Sequence, residues 1–231
     1  MQTIAVLAQK GGAGKTTLAV HLAVLAQQQG ERTLIIDIDQ QRSAAEWWHA
    51  RASETPELVE TSERQLGDVI AAAADDGVDV AIIDTPPHAA QAAKAATQVA
   101  DLVLIPCRPG ILDMRAIGAT VDLVRGMHRR AVIVLNQCQP ARGVGEAGIV
   151  REAREGLASY GMPVCPVAVT QRAALSYALI DGRAVTEFEA SGKAAGEINK
   201  LWEWIEHGAR EAERLQTGQG QQHGTGVRQE R

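Results

Sequence analysis

Short apolar runs recur along the 231-residue chain, and amphipathic stretches separate them. The runs at 3–8, 33–38, 79–84, 102–106, 131–136 and 164–168 mostly lack polar/apolar alternation, as in Val80-Ala81-Ile82-Ile83. A strand covered on both faces reads this way, because neither side meets water. Helical patterning covers 15–29, 43–52, 63–75, 113–127, 146–160, 171–181 and 193–215. Strands spaced by helices make βαβ units, whose right-handed crossovers build a mostly parallel, twisted sheet with helices on both faces. The expected fold class is therefore α/β. Gly30 stands where the first helix should stop, a place that favours glycine.

The pattern fades at the C-terminus. Residues 216–231 are rich in Gly and Gln with almost no apolar side chains, so they have no face to bury and are expected to be a disordered tail. Residues 1–215 are expected to form one domain, of a length that supports a sizeable core. One Phe and two Tyr leave that core aliphatic. Trp47 and Trp48 follow the second strand and are candidates for a partner-facing anchor.

Composition and charge narrow the function classes. A net charge of −5 excludes a globally basic, DNA-coating protein, so any nucleic-acid contact must come from a local patch. Cys107, Cys138 and Cys165 are odd in number and widely spaced, without a CxxC pair. They are expected to be buried small hydrophobes in a reducing cytosol. The first residues enter a strand directly rather than a signal peptide, and no apolar stretch is long enough for a bilayer, so a cytoplasmic location is expected. His21, His49, His88, His128, His207 and His223 show no metal-ligand spacing.

The chemistry is concentrated after the first strand. Thr3-Ile4-Ala5-Val6-Leu7-Ala8 runs into Lys10-Gly11-Gly12-Ala13-Gly14-Lys15-Thr16-Thr17, and a helix follows. A glycine-rich strand-to-helix loop can turn its N–H groups onto phosphates, with Lys15 reaching the β/γ-phosphates and Thr16 offering a hydroxyl to Mg²⁺. The plain phosphate loop would carry glycine at position 9, which is Gln9 here. The pattern that is met instead has a second lysine, Lys10, five residues before Lys15. Two further segments end at the same edge of the sheet. Asp37-Ile38-Asp39 closes the second strand, and Asp84 closes the strand before Thr85-Pro86-Pro87, placed to hold Mg²⁺ through water.

This set resembles the ParA/MinD family of deviant Walker A ATPases, most closely its short ParF-type plasmid-partition members. Further support comes from Ser43-Ala44-Ala45-Glu46-Trp47, Asp101-Leu102-Val103-Leu104-Ile105-Pro106, Pro109 with Leu112-Asp113, and Thr170-Gln171-Arg172. Gln40 stands where the family carries proline. The resemblance implies a weak, partner- and DNA-stimulated ATP hydrolase using ATP and Mg²⁺. Lys10 would cross a homodimer interface to the partner's phosphates, Asp39 would orient the attacking water, and Asp37 would support the Mg²⁺ network. Asn136, closing the strand Ala131–Leu135, would read adenine. The absence of a guanine-reading Asn-Lys-x-Asp favours ATP over GTP.

The resemblance also implies ATP-dependent dimerisation, non-specific DNA binding on the nucleoid, and a small centromere-binding partner of ParB or ParG type. No membrane-gripping helix is evident, which weighs against a MinD-like membrane cycle. Arg172, Lys193 and Lys200 are the leading DNA-contact candidates, with Arg151, Arg154, Arg210 and Arg214 as possible members of the same stripe. Partition of plasmid or chromosome DNA is the first expectation. The alternative is the same engine positioning a protein complex or a conjugative relaxosome, and a metabolic P-loop ligase is the more remote reading.

Overall fold

The computed structural model describes residues 1–141 and 145–208. Arg210, Arg214 and the expected tail at 216–231 lie outside the described residues. Strands β1 (Gln2–Val6), β2 (Thr33–Asp37), β3 (Glu57–Glu60), β4 (Val80–Asp84), β5 (Leu102–Cys107) and β6 (Ala131–Leu135) form one sheet in the order β3-β2-β4-β1-β5-β6. Every neighbouring pair is parallel. The register sets Asp84 beside Val6 on one side and Asp37 on the other, so the ends of β1, β2 and β4 meet at one edge.

The unbroken apolar strands fill two layers, as the pattern required. Ile4, Val6, Ile35, Ile82 and Leu104 pack against α1 (Lys15–Gln28), α2 (Ser43–Ala50) and α10 (Lys193–Glu203). Their sequence neighbours Ala5, Ile36, Ile83 and Ile105 pack against α3 (Leu66–Asp75), α4 (Ala90–Val99), α6 (Gly118–Gly126) and α7 (Gly148–Ala158). All three cysteines are free and buried, and burial pushes each thiol up to about 12. They serve as small apolar side chains.

Several elements depart from the expectation. The run 164–168 is not a strand. It meets β6 at the isolated bridge between Ile133 and Val164. Pro163 and Pro166 each lack an N–H, which prevents a longer ladder. Edge strand β3 and the alanine-rich α4 were not anticipated. The stretch 113–127 divides into α5 (Ile111–Ala116) and α6, and 171–181 into α8 (Ala173–Ala178) and a 3-10 turn at Leu179–Asp181. A short α9 (Val185–Phe188) follows, and α10 ends in a π-helical turn at Trp204–Gly208.

The tryptophans are packed. Trp47 is buried and donates its indole N–H to the Arg183 carbonyl at 3.2 Å, while Trp48 donates to the Pro56 carbonyl at 2.9 Å. The pair is spent on tying α2 into the fold, which corrects the expectation of an exposed anchor.

His21 lies wholly inside the α1 layer and joins it to α8 and α9. Its Nδ1 accepts the Val185 N–H at 3.1 Å, so the proton belongs on Nε2, which donates to the Leu175 carbonyl at 3.1 Å. Burial lowers its pKa from 6.5 to about 4. The unfolded chain therefore takes up the proton first. The contribution of neutral His21 is complete above pH 6.5 and is lost as pH falls toward about 4. The sum is on the order of 3 kcal/mol. Urea unfolding across that window should show stability falling with acid, and His21→Gln should flatten this dependence. An equally steep profile in the variant would refute the assignment.

Candidate functional site

A cleft of about 620 Å³ opens at the carboxyl edge of β1, β2 and β4 and is bounded by the 11–17 loop, Asp39, Gln41, Glu46, Pro87 and Gln137. Parallel sheets place ligand sites at this edge, and the volume falls in the range of small-molecule sites.

The loop is held from behind. Asn136 donates its amide to the Ala13 carbonyl at 2.8 Å, Gln137 donates to the Gly12 carbonyl at 3.0 Å, and Arg108 donates to that same carbonyl. These contacts draw carbonyl oxygens away from the cleft, a geometry that leaves loop amides for an anion. Gly14 sits at φ +87°, and a Cβ there would lie 2.4 Å from the Asn136 side-chain nitrogen. Both the left-handed backbone and this approach require glycine. Arg108 and Gln137 were not singled out in the sequence. They come from the ends of different strands and carry no contiguous motif.

Lys15 opens α1, is buried and lines the cleft. Burial lowers its pKa, and Asp84 and Asp39 draw it back up. Thr16 donates its hydroxyl to Asp84 Oδ2 at 2.6 Å. Asp84 is fully buried, and its other oxygen, Oδ1, has no hydrogen-bond partner. Burial pushes this carboxyl up to about 7, against the pull of the Thr16 hydroxyl.

An orphaned carboxylate oxygen beside a hydroxyl is a hard-oxygen donor set that fits Mg²⁺, which binds through one or two carboxylates plus substrate phosphates. Among the described residues no group of three His, Cys, Asp or Glu side chains stands ready to hold a metal unaided.

Asp37 is also buried, with Oδ1 on the Asp39 N–H at 2.9 Å and Oδ2 on the Ala45 N–H at 3.1 Å. It braces the turn carrying Asp39 and the first turn of α2. Asp39 faces the cleft and accepts the Gln41 N–H at 2.9 Å. Asn136, expected at the base, lies under the loop at 3 % exposure.

Lys10 is directed elsewhere. Its ammonium lies 2.9 Å from Asp113 Oδ1 on α5, and its side chain is 40 % exposed. It borders a small recess beside Arg108 and Asp113 rather than the main cleft.

Of the DNA-contact candidates, Lys193 and Lys200 project from the exposed face of α10. Arg172 is paired with Glu197 at 2.7 Å, and Glu197 also accepts the Thr170 N–H and hydroxyl at 2.8 and 2.9 Å. Arg154 is paired with Glu146 at 2.6 Å.

Residues 4–185 match the CobQ/CobB/MinD/ParA nucleotide binding domain. The chain is 28 % identical over 208 residues to the maintenance of carboxysome distribution protein A of Halothiobacillus neapolitanus, covering 86 % of this chain and 94 % of that one. The protein of the same name from Gloeobacter kilaueensis is 35 % identical over 210 residues, covering 85 % and 88 %. The fold superposes on the ATP complex of a Cyanothece McdA variant with a TM-score of 0.68 at 18 % identity, covering 92 % and 96 %.

Proposed function

Because this chain belongs to the CobQ/CobB/MinD/ParA family of nucleotide-binding domains, we propose that it is an ATP hydrolase of the positioning type, acting as an ATP-bound dimer that moves a cargo by transient attachment to DNA. The observation that carries this reading is the division of the two loop lysines. Lys15 stays with Thr16, Asp39 and Asp84 around the cleft, whereas Lys10 points out of it toward Asp113.

The loop amides and Lys15 bind the triphosphate. Thr16 and Asp84 would hold Mg²⁺, which would supply charge neutralisation for the triphosphate. Asp39, braced by Asp37, positions the attacking water. Lys10 completes the charge around the phosphates of a second copy. We assign Asn136 to holding the loop. Its burial gives no support to adenine reading.

Two relatives aligned over more than four-fifths of the chain are named for carboxysome distribution, which favours a protein body as cargo. Partition of DNA with a ParB- or ParG-like partner uses the same engine and is the second reading, supported by the ParA members of the family.

Gel shifts on arbitrary duplex DNA, with ATP, ADP or no nucleotide at two salt concentrations, test the DNA step. Binding is expected with ATP alone, at micromolar affinity, and weakened by salt. Lys193→Gln with Lys200→Gln should lower the salt slope by about one per lysine. Absence of DNA binding in every nucleotide state would sink the DNA-tracking reading and leave the ATPase standing.

A further inference from the structure

The opposite edge of the sheet carries a second cleft, of about 260 Å³, where the nucleotide chemistry has no part. It opens at the starts of β5 and β6, by Leu102 and Ala131, whereas the nucleotide cleft lies at the far ends of the strands. Four of its lining residues are Arg125, His128, Arg129 and Arg130, contributed by the end of α6 and the turn into β6. His128 has φ +53°, which turns this short basic segment sharply. Trp204 of the final π-helical turn, half-buried, closes the other side with Met162 and Pro163.

None of the described residues lining the cleft carries a carboxylate. Arg125 donates to the Tyr160 carbonyl and Arg129 to the Gln98 carbonyl. A neutral carbonyl fixes a guanidinium in place without cancelling its charge. Arg125 also pairs with Asp122 at 3.8 Å, a long contact between two exposed side chains that water screens. In a chain of net charge −5 this is a local concentration of positive charge beside an aromatic ring and an apolar wall.

We propose that this cleft binds a small organic anion, a phosphate- or carboxylate-bearing molecule with a flat apolar portion. Arg125 and Arg129 would take the anionic group, and Trp204 the apolar part. The concave, partly apolar shape favours such a ligand over a DNA backbone, which needs an open track of cations. The volume lies just below the range typical of drug-sized ligands, so the occupant is small.

The test uses 1-anilinonaphthalene-8-sulfonate, an aryl anion, titrated into the full chain with saturating Mg-ADP filling the other cleft. One saturable site per chain is expected, weakened by salt. Arg125→Gln with Arg129→Gln should weaken it by tenfold or more while leaving Mg-ADP affinity and thermal midpoint unchanged. Binding unaltered in the double variant, or displaced by Mg-ADP, would overturn the proposal. So would duplex DNA competing with the dye at the wild-type cleft but failing to bind the double variant, which would make the cleft a nucleic-acid contact.

Discussion

Lys15→Ala is expected to lower ATP and ADP affinity by about 100-fold or more, measured by calorimetry on the purified protein. Truncating one partner of a close, desolvated charge pair costs roughly 2–5 kcal/mol, and Lys15 is a buried ammonium at the first turn of α1, lining the proposed nucleotide cleft. Asp84 and Asp39 draw the pKa of this ammonium up against the effect of its burial. Its removal therefore leaves Asp84 with Thr16 as its near polar contact. Near-wild-type affinity would show that the cleft is not the nucleotide site.

Lys10→Ala should separate binding from turnover. Nucleotide affinity should stay within about threefold, because Lys10 does not line the cleft of its own chain. Hydrolysis and ATP-dependent dimerisation should fall by a factor on the order of 10³, as when a positive side chain supplied in trans is removed from phosphoryl transfer. Asp113→Ala should act in the other direction. The Lys10–Asp113 pair is partly exposed, at 40 % and 16 %, and such pairs are worth about 0.2–1 kcal/mol. Freeing Lys10 should therefore strengthen ATP-dependent dimerisation by no more than about fivefold, read by analytical ultracentrifugation. Wild-type turnover in Lys10→Ala would refute a two-chain catalytic site.

The interior strands were legible because burial on both faces leaves an unmistakable apolar run, as in β4. Edge strand β3 was not, since Glu57 and Glu60 are exposed and only Leu58 and Val59 hint at a covered face. Helix α4 buries Ala92, Ala93 and Ala96, whose small side chains give weak periodicity. The glycine-rich loop at 10–17 was legible for a different reason. Its chemistry requires glycine, lysine and threonine at fixed spacing along one segment. The residues behind it, Arg108 and Gln137, meet only through the sheet order that sets β1 beside β5 and β5 beside β6. Asn136 was noticed, but its placement under the loop depends on the same tertiary neighbours. Arg172 read as a surface cation because its partner Glu197 is distant in sequence and arrives on α10.

The bracing of Gly12 and Ala13 from β5 and β6 has a consequence for how the protein tells one nucleotide from another. A cradle already shaped before its ligand arrives would lose little freedom on filling, whichever nucleotide it takes. A ligand shifts an equilibrium only by the difference in its affinity for the two states. In the proposed dimer, the terminal phosphate would then be sensed where the loop does not reach, across the plane between two copies. The stiff loop would be the memory of the cycle, and the pairing of chains its clock.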